Sequence, residues 1–189
     1  PLQIQTLSST QLQTFTTQQF NSFSVYSLSS LQIPSLYTSQ IVNLTQFQLS
    51  KLNVNLLSIS QVATLSINYL PDQVIQNLSQ SQLSTITGYQ IMLLSTSQVS
   101  YINVPLLTNN QIVNLSIQFL PDTKITNLLS NQVSALYISQ LANLQSSQVR
   151  VLSYSSLVPL QMPAINITYL YPTQFTSLSP YVQYFTTNQ

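Results

Sequence analysis

Ten glutamines recur on a fixed schedule. Gln11, Gln32, Gln48, Gln61, Gln82, Gln98, Gln111, Gln132, Gln148 and Gln161 are separated by steps of 21, 16 and 13 residues, and the 50-residue cycle runs three times without a slip. An apolar residue follows each glutamine and a second comes three positions later, as in Val62/Leu65, Leu83/Ile86 and Ile112/Leu115. A long fixed period marks a repeat architecture, whose units bury a core only by stacking on their neighbours. The regular apolar positions also argue against disorder, because disordered chains bury too little apolar surface to offset ordering entropy.

Helix and strand readings compete for each unit. Ser or Thr three residues before the glutamine, at Ser8, Ser58, Ser79, Ser95 and Thr108, gives the S/T-x-x-Q form of a helix capping box. A continuous helix fails, since steps of eight residues rotate the apolar stripe by about 80° each time. Prolines such as Pro71, Pro105 and Pro121 also interrupt the chain. Any helices are therefore one or two turns long. The segments LSKLNV, VATLSI, VSYINV, IVNLSI, VSALYI and VRVLSY are rich in β-branched and aromatic residues and read apolar-x-x-apolar-x-apolar.

This phrasing resembles the L-x-x-L-x-L strand of leucine-rich repeats over residues 11–170, although that family's Asn after the strand is missing. The Q-(V/L/I)-x-x-L-(S/T) wording is also similar to Gln/Thr/Leu repeats of bacterial surface proteins, a resemblance that implies no chemistry. The expected fold is a solenoid of mainly short parallel β-strands with short helical or irregular returns. The alternative is a solenoid of very short α-helical turns. One coil per glutamine interval, about 17 residues, is preferred to one 50-residue coil, whose perimeter would enclose more space than the side chains fill. Residues 1–10 read as an N-terminal cap, 11–168 as the repeats and 169–189 as a Tyr-rich cap or interface segment. With a single glycine, Gly88, the corners fall to Asn, Ser and Pro. The glutamine amides are expected to close turns onto backbone; Gln–Gln ladders along the axis are the alternative.

Composition limits the chemistry. Lys51, Lys124, Arg150, Asp72 and Asp122 are the only charged residues, and the net charge is +1. No nucleic acid partner is expected from so little positive charge. No apolar run is long enough for a membrane span, and no basic segment leads into an apolar stretch as in a signal peptide. Without His or Cys the chain cannot build a Ser-His-Asp triad, a Cys-His pair or a common zinc site. Asp72 and Asp122, both in Leu-Pro-Asp, read as turn residues in preference to a catalytic or cation-binding pair. No catalytic residue, cofactor or metal is expected. Asn43, Asn77, Asn114 and Asn166 stand in N-x-S/T, which marks glycosylation only in a eukaryotic secreted protein. Tyr169, Tyr171, Tyr181 and Tyr184 form a candidate cap or interface.

The functional expectation is a non-enzymatic repeat protein that forms or decorates an extracellular or virion surface, associating with itself or other structural proteins. The alternative is a recognition or adhesion module that binds glycan or a receptor through its regular polar face. Polar, weakly charged segments also admit cross-β assembly, which the prolines disfavour.

Overall fold

The computed structural model describes residues 2–185. The strand expectation is overturned: no described residue is in a strand, and the chain is a succession of α-helical turns of four to seven residues and 3-10 turns of three to six. The short-helical-turn alternative is the one that fits. Pro1 and residues 186–189, the ends of the two expected caps, lie outside the described residues.

Each turn carries one apolar pair three residues apart, and the pairs begin at intervals of eight or five residues. Most eight-residue steps hold an α-turn with a capping residue, such as Ile59–Ala63 behind Ser58; those at Ile33–Ser35 and Pro159–Ala164 hold 3-10 turns. Most five-residue steps hold a bare 3-10 turn, such as Ile67–Tyr69. The first apolar residue of a pair lies in the turn. The second ends it in extended backbone, as at Leu52 (φ −80°, ψ 138°). The next residue, usually Ser, Thr, Asn or Pro, is also extended and starts the following turn, as at Ser58 (φ −66°, ψ 160°). Two consecutive extended residues make a corner. No described residue has positive φ, so no corner needs glycine. Gly88 serves a close approach instead: a Cβ there would meet Asn114 Nδ2, one coil on, at 2.5 Å.

These corners explain why VATLSI and its relatives read as strands. Each window runs from the end of a helical turn, through an extended corner, into the next turn, which is 3-10 in all but VSALYI, where it is the α-turn Ile138–Ala142. Its β-branched residues sit where a one-turn helix puts little crowding on χ1.

The coil size is also corrected. The principal packing joins each turn to the third turn before and after it: Asp72–Asn77 lies on Thr96–Tyr101, Ile59–Ala63 on Gln80–Ser84, and Asp122–Ile125 on Ser146–Val151. Three turns therefore make one coil of 18 to 24 residues, and the molecule is a three-sided solenoid. Its first face begins with the turns of Leu12, Ile33, Val54 and Ile75. The second begins with Phe20, Ile41, Val62 and Leu83, and the third with Val25, Leu49, Ile67 and Ile91. All these side chains are buried in one core down the axis. Each such burial contributes about 1.5–3 kcal/mol.

The 50-residue unit is five steps of eight and two of five, hence seven turns. Seven is not a multiple of three. Positions equivalent in sequence therefore move to the next face with every repeat, and regain the first only after three repeats.

Candidate recognition face

The glutamines are staples between coils. Fifteen glutamines, fourteen of them the third residue of their helical turn and Gln32 just before its 3-10 turn, accept at Oε1 the backbone N–H of the residue three positions earlier. Where that residue is Ser or Thr its hydroxyl usually accepts the Gln N–H in return, completing the box foreseen at Ser8, Ser58, Ser79, Ser95 and Thr108. At Leu129 and Val158 only the glutamine half survives. The Nε2 group then reaches the coil beneath. Gln111 donates to the carbonyls of Leu83 (2.6 Å) and Ile86 (2.7 Å); Gln61 donates to those of Ile33 and Leu36, and Gln132 to those of Val104 and Leu107. Both ends of each amide are used, so its burial carries no unmet polar group. Among the described residues no Gln–Gln ladder forms. Gln11 and Gln19, in the first coil, are exposed. The ten-residue schedule omitted Gln19, Gln40, Gln90, Gln140 and Gln174, which do the same work as far as their position allows. The eight-or-five spacing of apolar pairs is the signal that finds them.

Two eight-residue turns lack the glutamine, having Val74 and Lys124 instead, and both start at a proline, Pro71 and Pro121. Proline has no N–H, so nothing there needs the Oε1 acceptor. Lys124 Nζ donates to the Ile102 carbonyl (2.5 Å), the coil-bridging half of the staple. Desolvation holds its ammonium below the ordinary value of 10.5. The unfolded chain then binds the proton more tightly, so stability should rise as pH climbs through the lowered value towards 10.5. Lys124→Gln alone should shift stability by no more than about 0.5 kcal/mol, for want of a donor at residue 121. Pro121→Ser with Lys124→Gln should stabilise by about 1–2 kcal/mol by restoring the box. Either change should remove the alkaline rise, read from urea midpoints across that pH range.

Asp72 and Asp122 are not a pair. They begin turns on the first and second faces. Each opens a helical turn, where a carboxylate suits the helix dipole, and accepts a serine hydroxyl from the coil above: Ser97 to Asp72, and Ser147 to Asp122 at 3.0 Å. Among the described residues no three His, Cys, Asp or Glu are grouped as for a metal. No described helix is long and apolar enough to cross a membrane. Of the N-x-S/T asparagines, Asn43 and Asn114 donate to their own helices at Ser39 and Asn110, and Asn166 accepts from Thr168.

The C-terminal tyrosines divide by role. Tyr169 and Tyr181 pack on the core beside Phe185, and Leu178 is buried beneath this segment. Tyr171 is exposed, with the Arg150 guanidinium 4.5 Å above its ring. Arg150 Nε also donates to the Tyr169 carbonyl (2.7 Å). Tyr184 is partly exposed.

The third face carries a feature that sequence spacing did not reveal. Tyr26, Phe47, Tyr69 and Tyr89 sit on successive coils of this face, and they are 60%, 68%, 43% and 66% exposed. A groove of about 280 Å³ lies between Tyr26 and Phe47, and one of about 740 Å³ runs past Phe47 to Tyr69 and on to Asp72. Phe47 borders both; the second groove runs along the edge between the third and first faces as far as Ser95 and Gln98, and Tyr89 lines neither. Lys51 Nζ stands 5.8 Å from the Phe47 ring centre. A second exposed apolar set, Tyr101, Phe119, Ile138 and Leu160, lies on the first face in the C-terminal half. No protein-family model, no curated protein and no solved structure matches this chain.

Proposed function

We propose that this protein is a non-catalytic recognition solenoid of an extracellular or virion surface, and that it engages an extended partner along its third face. The observation that carries this reading is the origin of the aromatic row. Fifty residues beyond Tyr26, Phe47, Tyr69 and Tyr89 stand Gln76, Ser97, Phe119 and Ser139, so three of the four rings were not copied with the repeat. The fourth copy, Phe119, falls on the first face. A row along one face thus needs independent placement at each coil. Exposed aromatic side chains so aligned suit contact with a partner, because they supply large area at low entropy cost.

The Tyr26→Ala/Phe47→Ala/Tyr69→Ala protein tests this. Its circular dichroism and urea midpoint should match the parent, since all three rings are exposed. Its retention on a glycan array and on surfaces of the native source should fall at least a hundredfold. A parent protein that leaves both blank removes the reading. A second reading, lateral assembly, is favoured by the apolar set on the first face and by a surface with little charge repulsion. Light scattering of the same samples decides it, because a strict monomer at high concentration excludes assembly.

A further inference from the structure

We infer that the third face binds a linear, uncharged polysaccharide of β-1,4-linked pyranose rings, laid along the solenoid axis with one stacking contact per coil. The inference rests on the recognition reading above and gives its ligand. Three observations converge on it.

The rings are spaced by coils, not by helical periodicity, so the ligand must be long and straight. Helices packed side by side lie about 8–10 Å apart, close to the advance of one disaccharide in an extended β-1,4 chain. Every second sugar can then meet a ring. The all-equatorial pyranose presents a flat C–H face, which matches the face of an aromatic ring.

The exposed edge of the second groove supplies the other half of sugar chemistry. Gln46 and Asn68 offer both amide donors and acceptors, and Ser50 a hydroxyl. The Asp72 carboxylate stands in the same groove as an acceptor. Sugar hydroxyls need such mixed partners.

Charge excludes the main rivals. The two grooves hold one cation, Lys51, and one anion, Asp72, so neither nucleic acid nor an acidic polymer finds a charged track. An added β-strand is excluded too, because the described residues offer no sheet edge. A proline-rich peptide is the remaining polymer that docks between aromatic rings. It recognises tight aromatic clefts, whereas these grooves are open and edged by exposed amides.

Calorimetry of the full chain against β-1,4-linked glucose and N-acetylglucosamine oligomers of increasing length provides the test. Malto-oligosaccharides, polygalacturonate and a proline-rich peptide serve as comparisons. For one β-1,4 series the affinity should rise stepwise with length and level off once the chain spans Tyr26 to Tyr89. Phe47→Ala should weaken the longest oligomer about tenfold or more, and Tyr89→Ala should shorten the length at which affinity levels. The idea is overturned if affinity is indifferent to length, or if no β-1,4 oligomer binds while the peptide or a native surface protein binds through Phe47. In the latter case recognition by the third face survives and only its ligand changes. If the parent binds nothing in any arm, both readings fall.

Discussion

Gln111→Glu should unfold most of the protein at neutral pH, while Gln11→Glu should change almost nothing. The two residues occupy the same place in the repeat and differ only in what lies below. Gln111 gives its Nε2 hydrogens to the carbonyls of Leu83 and Ile86. A carboxylate there has no hydrogens to give and turns negative charge onto two carbonyl oxygens in a buried site. The Leu83 carbonyl keeps the Ile86 N–H, but leaving the buried Ile86 carbonyl unmet costs about 1–3 kcal/mol, and the unpaired buried charge adds several more. That approaches the whole stability of a domain, about 5–15 kcal/mol. The carboxyl pKa in the folded state must therefore rise. The penalty is absent below the ordinary glutamate range and grows as pH climbs from there to the raised value. Acid should thus rescue Gln111→Glu in part, since the protonated form regains one donor. At Gln11 the side chain is exposed with no coil beneath, and a negative charge at a helix start is mildly favourable. Urea titrations followed by circular dichroism, at neutral and acid pH, check both variants. Equal losses at Gln11 and Gln111 would mean that the staple between coils carries little energy.

Deleting residues 71–78 should leave a folded solenoid in which the row of exposed rings, the proposed binding face, is broken. This segment is one whole turn, Asp72–Asn77 with its corners. Its removal leaves an intact sequence of corner, turn and corner on either side. Every later turn then steps back by one face, so Tyr89 leaves the row of Tyr26, Phe47 and Tyr69. Affinity for an extended ligand should fall at least tenfold while helicity per residue is kept. Replacing residues 71–78 by a second copy of residues 79–86 restores the count of turns. It should bring Tyr89 back into line and recover most of the loss. Full affinity in the deletion, or no recovery in the replacement, would contradict a coil of three turns.

Much of the local structure was legible in the residues. The 50-residue period, the capping boxes behind Ser8, Ser58, Ser79, Ser95 and Thr108, and the corners free of left-handed glycine all follow from short-range chemistry. The strand reading failed at Leu52 and its equivalents, because an apolar residue that ends a turn in extended backbone has the same pattern as the start of a strand. The coil size failed for a different reason. The glutamine schedule counts some turns and skips others, and nothing local shows that Gln61 reaches back 28 residues to Ile33. The aromatic face was hidden in turn. Tyr26 and Phe47 share no repeat position, and only the number of turns per coil puts them side by side.

The glutamine staples all point the same way along the chain. Gln32 reaches back to Ile4 and Leu7, Gln98 to Leu70, and Gln161 to Val133 and Leu136. Each of these staples finds its carbonyls in residues already synthesised when it leaves the ribosome. Domains fold from the N-terminal side during synthesis, and a chain wired in this direction can lay each coil onto a finished one. The growing end is then the only place where buried surface waits for a partner, so a long array of such coils would meet the aggregation hazard of only its last turn at any moment.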